Sequence, residues 1–171
     1  IELGIKYHNL YEKTIPRKEI DLINTYLQKV ILKLDPQLFG LVCGSYRRLS
    51  QTSNDIDFLL FNKSILTQKQ LKQNKINYLN LFVGKLIETK FIVDSITTQT
   101  VETRYMGFCR YNNDHPIRRI DIRYMNYDSY YTALLYFTGP AEFNKMMLRH
   151  AISMGYKLNE YGLYKDIYNK Y

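Results

Sequence analysis

Two carboxylates, Asp55 and Asp57, stand one residue apart just where the apolar run Phe58–Phe61 begins. A strand alternates its side chains, so both acids face one way while Ile56 and Phe58 face the other. The segment is therefore a strand with one packed face and a charged patch at the start of the opposite face. Upstream, Leu38–Cys43 reads as a second strand that runs into the turn Gly44-Ser45-Tyr46-Arg47-Arg48. Two hard oxygen ligands on one face form half of a Mg²⁺ site, and the turn offers backbone N–H groups to phosphate. Together they suit a nucleoside triphosphate held with its metals. Asp-x-Asp alone also fits an acidic strand start; the Gly-Ser turn and Arg48 at this spacing favour the site.

A third acid stands in Arg118-Arg119-Ile120-Asp121-Ile122-Arg123. Here Arg119, Asp121 and Arg123 share one face, and Ile120 and Ile122 take the other. Laid beside the Asp55–Asp57 strand, Asp121 completes a carboxylate triad that the flanking arginines orient. The other reading is a surface strand with cross-strand ion pairs.

The rest of the chain alternates strands and helices. Pro16 opens a helix with Ile20, Ile23, Leu27, Ile31 and Leu34 on one stripe, and Pro36 lies just beyond its end. Ile56–Phe61 is a strand, and residues 68–88 read as one helix with Ile76, Leu79, Val83 and Leu86 inward. Phe91–Ile96, Arg104–Tyr111 and Ile117–Tyr124 are three further strands. A helix over 128–137 is expected to be capped by Asp128 and to carry Tyr130-Tyr131. Another runs over 141–153 and stops at Gly155. All three acids precede residue 125, and aromatic and amide groups follow it. This implies an α+β chain of two subdomains, 1–125 and 126–171, meeting at a cleft.

A further set of segments is specific: Tyr136-Phe137-Thr138-Gly139-Pro140, then Phe143-Asn144-Lys145, then Asn159-Glu160-Tyr161. With Cys43–Arg48, Asp55–Asp57 and Arg118–Arg123, they resemble the catalytic region of the family X DNA polymerases, closest to the beta-like members. The resemblance runs in order from about Lys13 to Leu163. It implies that residues 1–125 form a nucleotidyltransferase palm with a preceding helix. Residues 126–171 would be a smaller, mostly helical subdomain that closes on the nascent base pair.

By that resemblance Asp55 and Asp57 bridge two Mg²⁺ ions, for which Mn²⁺ can substitute, and Asp121 binds only the catalytic one, with Arg119 hydrogen-bonded to it. Ser45 and Arg48 grip the β- and γ-phosphates, and Gly44 allows close backbone approach; read by strand alternation, Arg47 is expected to point away from Arg48. Tyr136 and Phe137 contact the sugar, Gly139-Pro140 suits a cis peptide, and Asn144 reaches the base. Several positions depart from the family pattern. Asn54 replaces a glycine beside the triphosphate, Thr14 a basic residue, and Ala141 an aspartate. Leu148 stands where beta-like enzymes carry a template-contacting arginine, which makes Arg149 the other candidate for that contact. Lys165-Asp166-Ile167-Tyr168 resembles the start of a final helix joined almost directly to Leu163, as though an intervening hairpin were missing. Ile1 rather than Met suggests a fragment.

The implied activity is template-directed addition of deoxynucleotides to a primer 3′-hydroxyl, in short-gap filling during base-excision repair. The implied partners are gapped or primer–template DNA and dNTP, with the protein a monomer. The alternatives are a template-independent, terminal-transferase-like enzyme and a catalytically lapsed nucleic-acid-binding module. The intact acids argue against the module, and the short loop at 112–116 argues against template independence. A formal charge of +8 agrees with a polyanionic partner. Cys43 and Cys109 read as buried thiols of an intracellular protein, with the nucleus favoured over a viral or cytoplasmic compartment. No apolar run is long enough to span a bilayer.

Overall fold

In the computed structural model the described residues are 1–8, 14–98 and 102–166. In chain order the elements begin with α1 (Glu2–Tyr7), β1 (Ile15–Pro16), α2 (Arg17–Leu34), β2 (Leu38–Val42), α3 (Gly44–Arg47) and β3 (Thr52–Ser53). Then come β4 (Ile56–Asn62), α4 (Gln68–Gln73), α5 (Tyr78–Glu88), β5 (Ile92–Ser95), β6 (Arg104–Cys109) and β7 (Arg118–Asn126). A 3₁₀ turn, Tyr127–Ser129, leads into α6 (Tyr130–Thr138), α7 (Ala141–Ser153), β8 (Tyr156–Leu158) and β9 (Leu163–Lys165).

Five strands form one mixed sheet in the order β2-β4-β7-β6-β5. The central pair, β4 and β7, is parallel, and the other neighbours are antiparallel. Alternation gives the sheet two packed faces. On one, Ile56, Phe58, Leu60, Ile120, Ile122 and Tyr124 meet the apolar stripes of α2 (Ile20, Ile23, Leu27, Ile31) and α5 (Leu79, Phe82, Val83, Leu86). On the other, Leu59, Phe61 and Met125 lie under Ala133 of α6 with Cys43. Helix α6 covers only the C-terminal half of that face. The N-terminal ends of β4 and β7, which carry the acids, are left open toward solvent.

Three expectations need correction. Residues 68–88 form two helices rather than one, and Ile76 is 46% exposed in the break. Asparagines cause the break: Asn74 Oδ1 accepts from the Ile76 N–H, and Asn77 Oδ1 caps α5 by accepting from the Asn80 N–H. Asp128 does not cap α6; it sits in the 3₁₀ turn, where its N–H donates to the Leu66 carbonyl. Thirdly, Lys165 belongs to a strand. β8 and β9 pair as a hairpin around Asn159–Gly162, with Asn159 Oδ1 accepting from the N–H groups of Tyr161 and Gly162. Ile167 and Tyr168 lie outside the described residues.

Both cysteines are buried free thiols. Among the described residues no helix is long and apolar enough to cross a membrane.

Candidate active site

Parallel pairing of β4 and β7 sets Asp57 directly beside Asp121, with Asp55 just ahead of β4. One carboxylate oxygen from each lies within 4.8 Å of the others. Three anions this close repel one another in a half-buried setting. Burial first, and then the charges of Asp55 and Asp121, push the Asp57 carboxyl up to about 7. Burial and Asp121 likewise raise Asp55. A divalent cation relieves both effects, and three hard oxygen donors at this separation fit one.

The Asp121 carboxylate and the Asp57 backbone are each held from behind. Arg119 Nη2 donates to Asp121 Oδ1 at 2.7 Å, and its Nη1 is anchored on the Gly107 carbonyl of β6. The Asp57 carbonyl accepts from the Cys43 N–H at 2.7 Å, which fixes the start of α3 against β4. Gly44 sits at φ +59, and a Cβ there would come 2.6 Å from Asp57 Oδ2. Gly44→Ala combines positive φ with a clash against a metal-ligand candidate. It is expected to lower stability by about 1–3 kcal/mol, the range for strained backbone. It should also weaken Mg²⁺ binding, which a thermal melt with and without Mg²⁺ reads directly.

The segment after Gly44 is a helical turn, so successive side chains differ by about 100° instead of 180°. Arg47 therefore does not point away from Arg48, as strand alternation suggested. Both reach the end of α6: Arg47 Nη1 donates to Thr138 Oγ1 at 3.0 Å, and Arg48 Nη1 to the Thr138 carbonyl at 2.6 Å. Ser45 Oγ donates to Ser53 Oγ at 2.6 Å. Arg17 braces the turn, donating from Nη1 to the carbonyls of Tyr46 and Ser50 and stacking on the Tyr46 ring at 4.1 Å. Asn54 is exposed and is not among the residues at positive φ, so its backbone lies in a region open to any residue.

A cavity of about 150 Å³ opens beside the triad, lined by Asp57, Asp121, Arg104, Met106, Arg123 and Phe137. Sequence reasoning did not single out Arg104 and Met106. They enter because Met106 pairs with Asp121 across β6 and β7, on the same face. Arg123 lies over the Phe137 ring at 5.0 Å and 3.8 Å from Glu160, tying the sheet to α6 and the hairpin. Tyr136 is partly exposed, and Gly139-Pro140 is cis.

Asn144 and Leu148 do not reach the triad. They share one face of α7 and line a small pocket with Leu135, Tyr136 and Leu158, where Asn144 Nδ2 donates to the Tyr136 carbonyl at 2.8 Å. Arg149 is exposed, on a different side of the helix from Leu148. Thr14 is exposed, and its carbonyl accepts from Arg118 Nη1.

Comparison with known proteins places this arrangement. The sequence family of the DNA polymerase beta palm matches residues 14–127, and that of the DNA polymerase beta thumb matches residues 133–170. DNA polymerase lambda of Rattus norvegicus is 28% identical over 165 residues, covering 94% of this chain and 28% of that protein. DNA polymerase lambda of Arabidopsis thaliana is 31% identical over 173 residues, covering 95% of this chain and 31% of that protein. The chain thus spans about three-tenths of the length of these curated relatives.

Proposed function

The chain belongs to the family X DNA polymerases, and from that membership we propose that it adds deoxynucleotides to a primer 3′-hydroxyl on gapped DNA. The observation that carries the reading is the Asp57–Asp121 register, which gathers three acids opposite a Gly-Ser turn. Asp55, Asp57 and Asp121 would hold divalent cations, Mg²⁺ or Mn²⁺. When bound, these supply charge neutralisation on the triphosphate and activation of the 3′-hydroxyl.

The chain's own groups do the positioning, which is most of the catalysis in phosphoryl transfer. The backbone at Gly44 and Ser45 approaches the β- and γ-phosphates without a side chain in the way. Arg48 exchanges the Thr138 carbonyl for phosphate oxygen, a stronger acceptor because it is charged. Arg119 holds Asp121 at a fixed rotamer. Tyr136 and Phe137 meet the sugar, and Asn144 releases the Tyr136 carbonyl to reach the base edge. Residues 1–125 would act as the palm and 126–171 as the subdomain that closes over the nucleotide.

Primer extension on gapped, open-template and single-stranded DNA tests the reading. Extension is expected to be fastest on the gap and to require a template. Extension of the single strand alone would instead assign a terminal-transferase activity. DNA affinity should fall steeply with salt and differ little between two unrelated sequences, because Lys and Arg exceed Asp and Glu by 24 − 16 = 8. A flat salt response would overturn the electrostatic part.

Leu148 bears on accuracy. A leucine cannot donate to the template strand, so discrimination between right and wrong pairs should be shallow. Leu148→Arg is expected to raise the ratio of correct to incorrect incorporation by about 0.5–1.5 kcal/mol, one ordinary hydrogen bond. Single-turnover rates for matched and mismatched nucleotides read the ratio. If it is unchanged while Arg149→Ala collapses it, the contact belongs to Arg149.

A further inference from the structure

No aspartate or glutamate stands between Asp57 and Glu88, yet Lys63, Lys69, Lys72, Lys75 and Lys85 do. Three of these lysines, Lys69, Lys72 and Lys75, lie in or just beyond α4, a helix with no buried residue. This helix is at the opposite end of the sheet from the acids, near Asn126, whose Nδ2 donates to the Leu66 carbonyl. Lys69, Lys72 and Lys75 are exposed and form no ion pair among the described residues. Lys63 lies over the Phe39 ring at 5.4 Å.

Two depressions run along this edge, of about 650 and 530 Å³. They share Gln68, Asn126 and Tyr161, so they form one continuous groove. Lys72 lines the first; Tyr131 and Tyr164, which are 81% and 48% exposed, line the second. Of the residues that line the groove Lys72 is basic while Glu102 and Asp128 are acidic, so the positive charge beside it comes from Lys69 and Lys75, exposed in and just beyond α4 without lining the groove themselves. None of the residues lining this groove lines the cavity at the triad.

We propose that this groove is a second nucleic-acid site that binds a single-stranded polynucleotide. The lysines meet its phosphates, and the exposed tyrosine rings stack on its bases. Cationic side chains tracking a backbone beside aromatic platforms are what sequence-tolerant single-strand binding requires. A duplex keeps its bases stacked on one another and would leave the tyrosine rings unused. The site rests on the reading of the chain as a DNA-handling protein, but it involves neither the triad nor the phosphate turn.

Anisotropy of a labelled oligo-dT, titrated across salt, tests the proposal with the full chain. In Lys69→Gln/Lys72→Gln/Lys75→Gln, affinity should fall about tenfold. The slope of log K against log salt should become shallower by about 2, the share of three phosphate contacts on a single strand. Tyr131→Ala/Tyr164→Ala should weaken binding about fivefold or more with the slope unchanged, as lost stacking does. Incorporation on a gapped duplex without single-stranded tails should match wild type in both variants. Unchanged affinity and slope in the lysine variant would overturn the proposal. So would a parallel loss of incorporation, which would put the lysines in the duplex cleft. Absence of incorporation by the wild-type chain would count against the polymerase reading, while the oligo-dT titration would still decide the groove.

Discussion

Asp121→Ala should lower nucleotide incorporation by about three decades or more, while the protein stays folded and still binds DNA. Three decades correspond to about 4 kcal/mol of barrier, the scale expected when a ligand of the catalytic metal is lost. Its side chain is about one-third exposed, so its removal opens no core cavity. It also removes one of the charges that raise Asp57. The melting temperature without metal should therefore hold or rise, which separates lost chemistry from lost structure. Arg119→Lys should give a smaller defect, because one ammonium cannot reach Asp121 Oδ1 and the Gly107 carbonyl with the geometry of a guanidinium. If Asp121→Ala retained more than about a tenth of wild-type turnover with Mg²⁺, the carboxylate would not be a ligand of the reacting centre.

The triad was legible because strand alternation is a strict rule: a period of two fixes which face Asp55, Asp57 and Asp121 occupy. Sequence alone left open whether the two strands are neighbours, which the parallel register answers. The Gly44–Arg48 turn was legible in composition but not in shape. Treating Arg47 and Arg48 as strand residues placed them on opposite sides, whereas a single helical turn sends both to Thr138. The 68–88 helix failed for a related reason. Its apolar spacing survives the break, but side-chain capping by Asn74 and Asn77 competes locally with the helix backbone. Arg104 and Met106 were invisible because their place at the site depends on β6 pairing with β7, a contact that no local pattern encodes.

The least legible feature is the one with the largest expected effect on stability. Arg118 has the same strand parity as Ile120 and Ile122, so it points into the packed face under α2. There Arg118 and Glu19 form a forked pair, with Nη2 to Oε1 at 3.0 Å and Nε to Oε2. Their side chains are only 3% and 8% exposed. Arg118 Nη1 also donates to the Thr14 carbonyl, so the pair locks the start of α2 onto the start of β7. Removing one partner of a buried pair strands the other charge in a poorly solvated site. Glu19→Ala is expected to lower unfolding free energy by about 3–5 kcal/mol, a large part of the roughly 5–15 kcal/mol that holds a typical domain. Glu19→Gln keeps the shape and part of the hydrogen bonding, and should lose less. The double variant Glu19→Leu/Arg118→Met removes both charges, and should recover much of what Glu19→Ala loses. Urea unfolding of the three variants measures the series. A loss below about 1 kcal/mol in Glu19→Ala would mean that water reaches the stranded arginine and that the pair is solvated rather than buried.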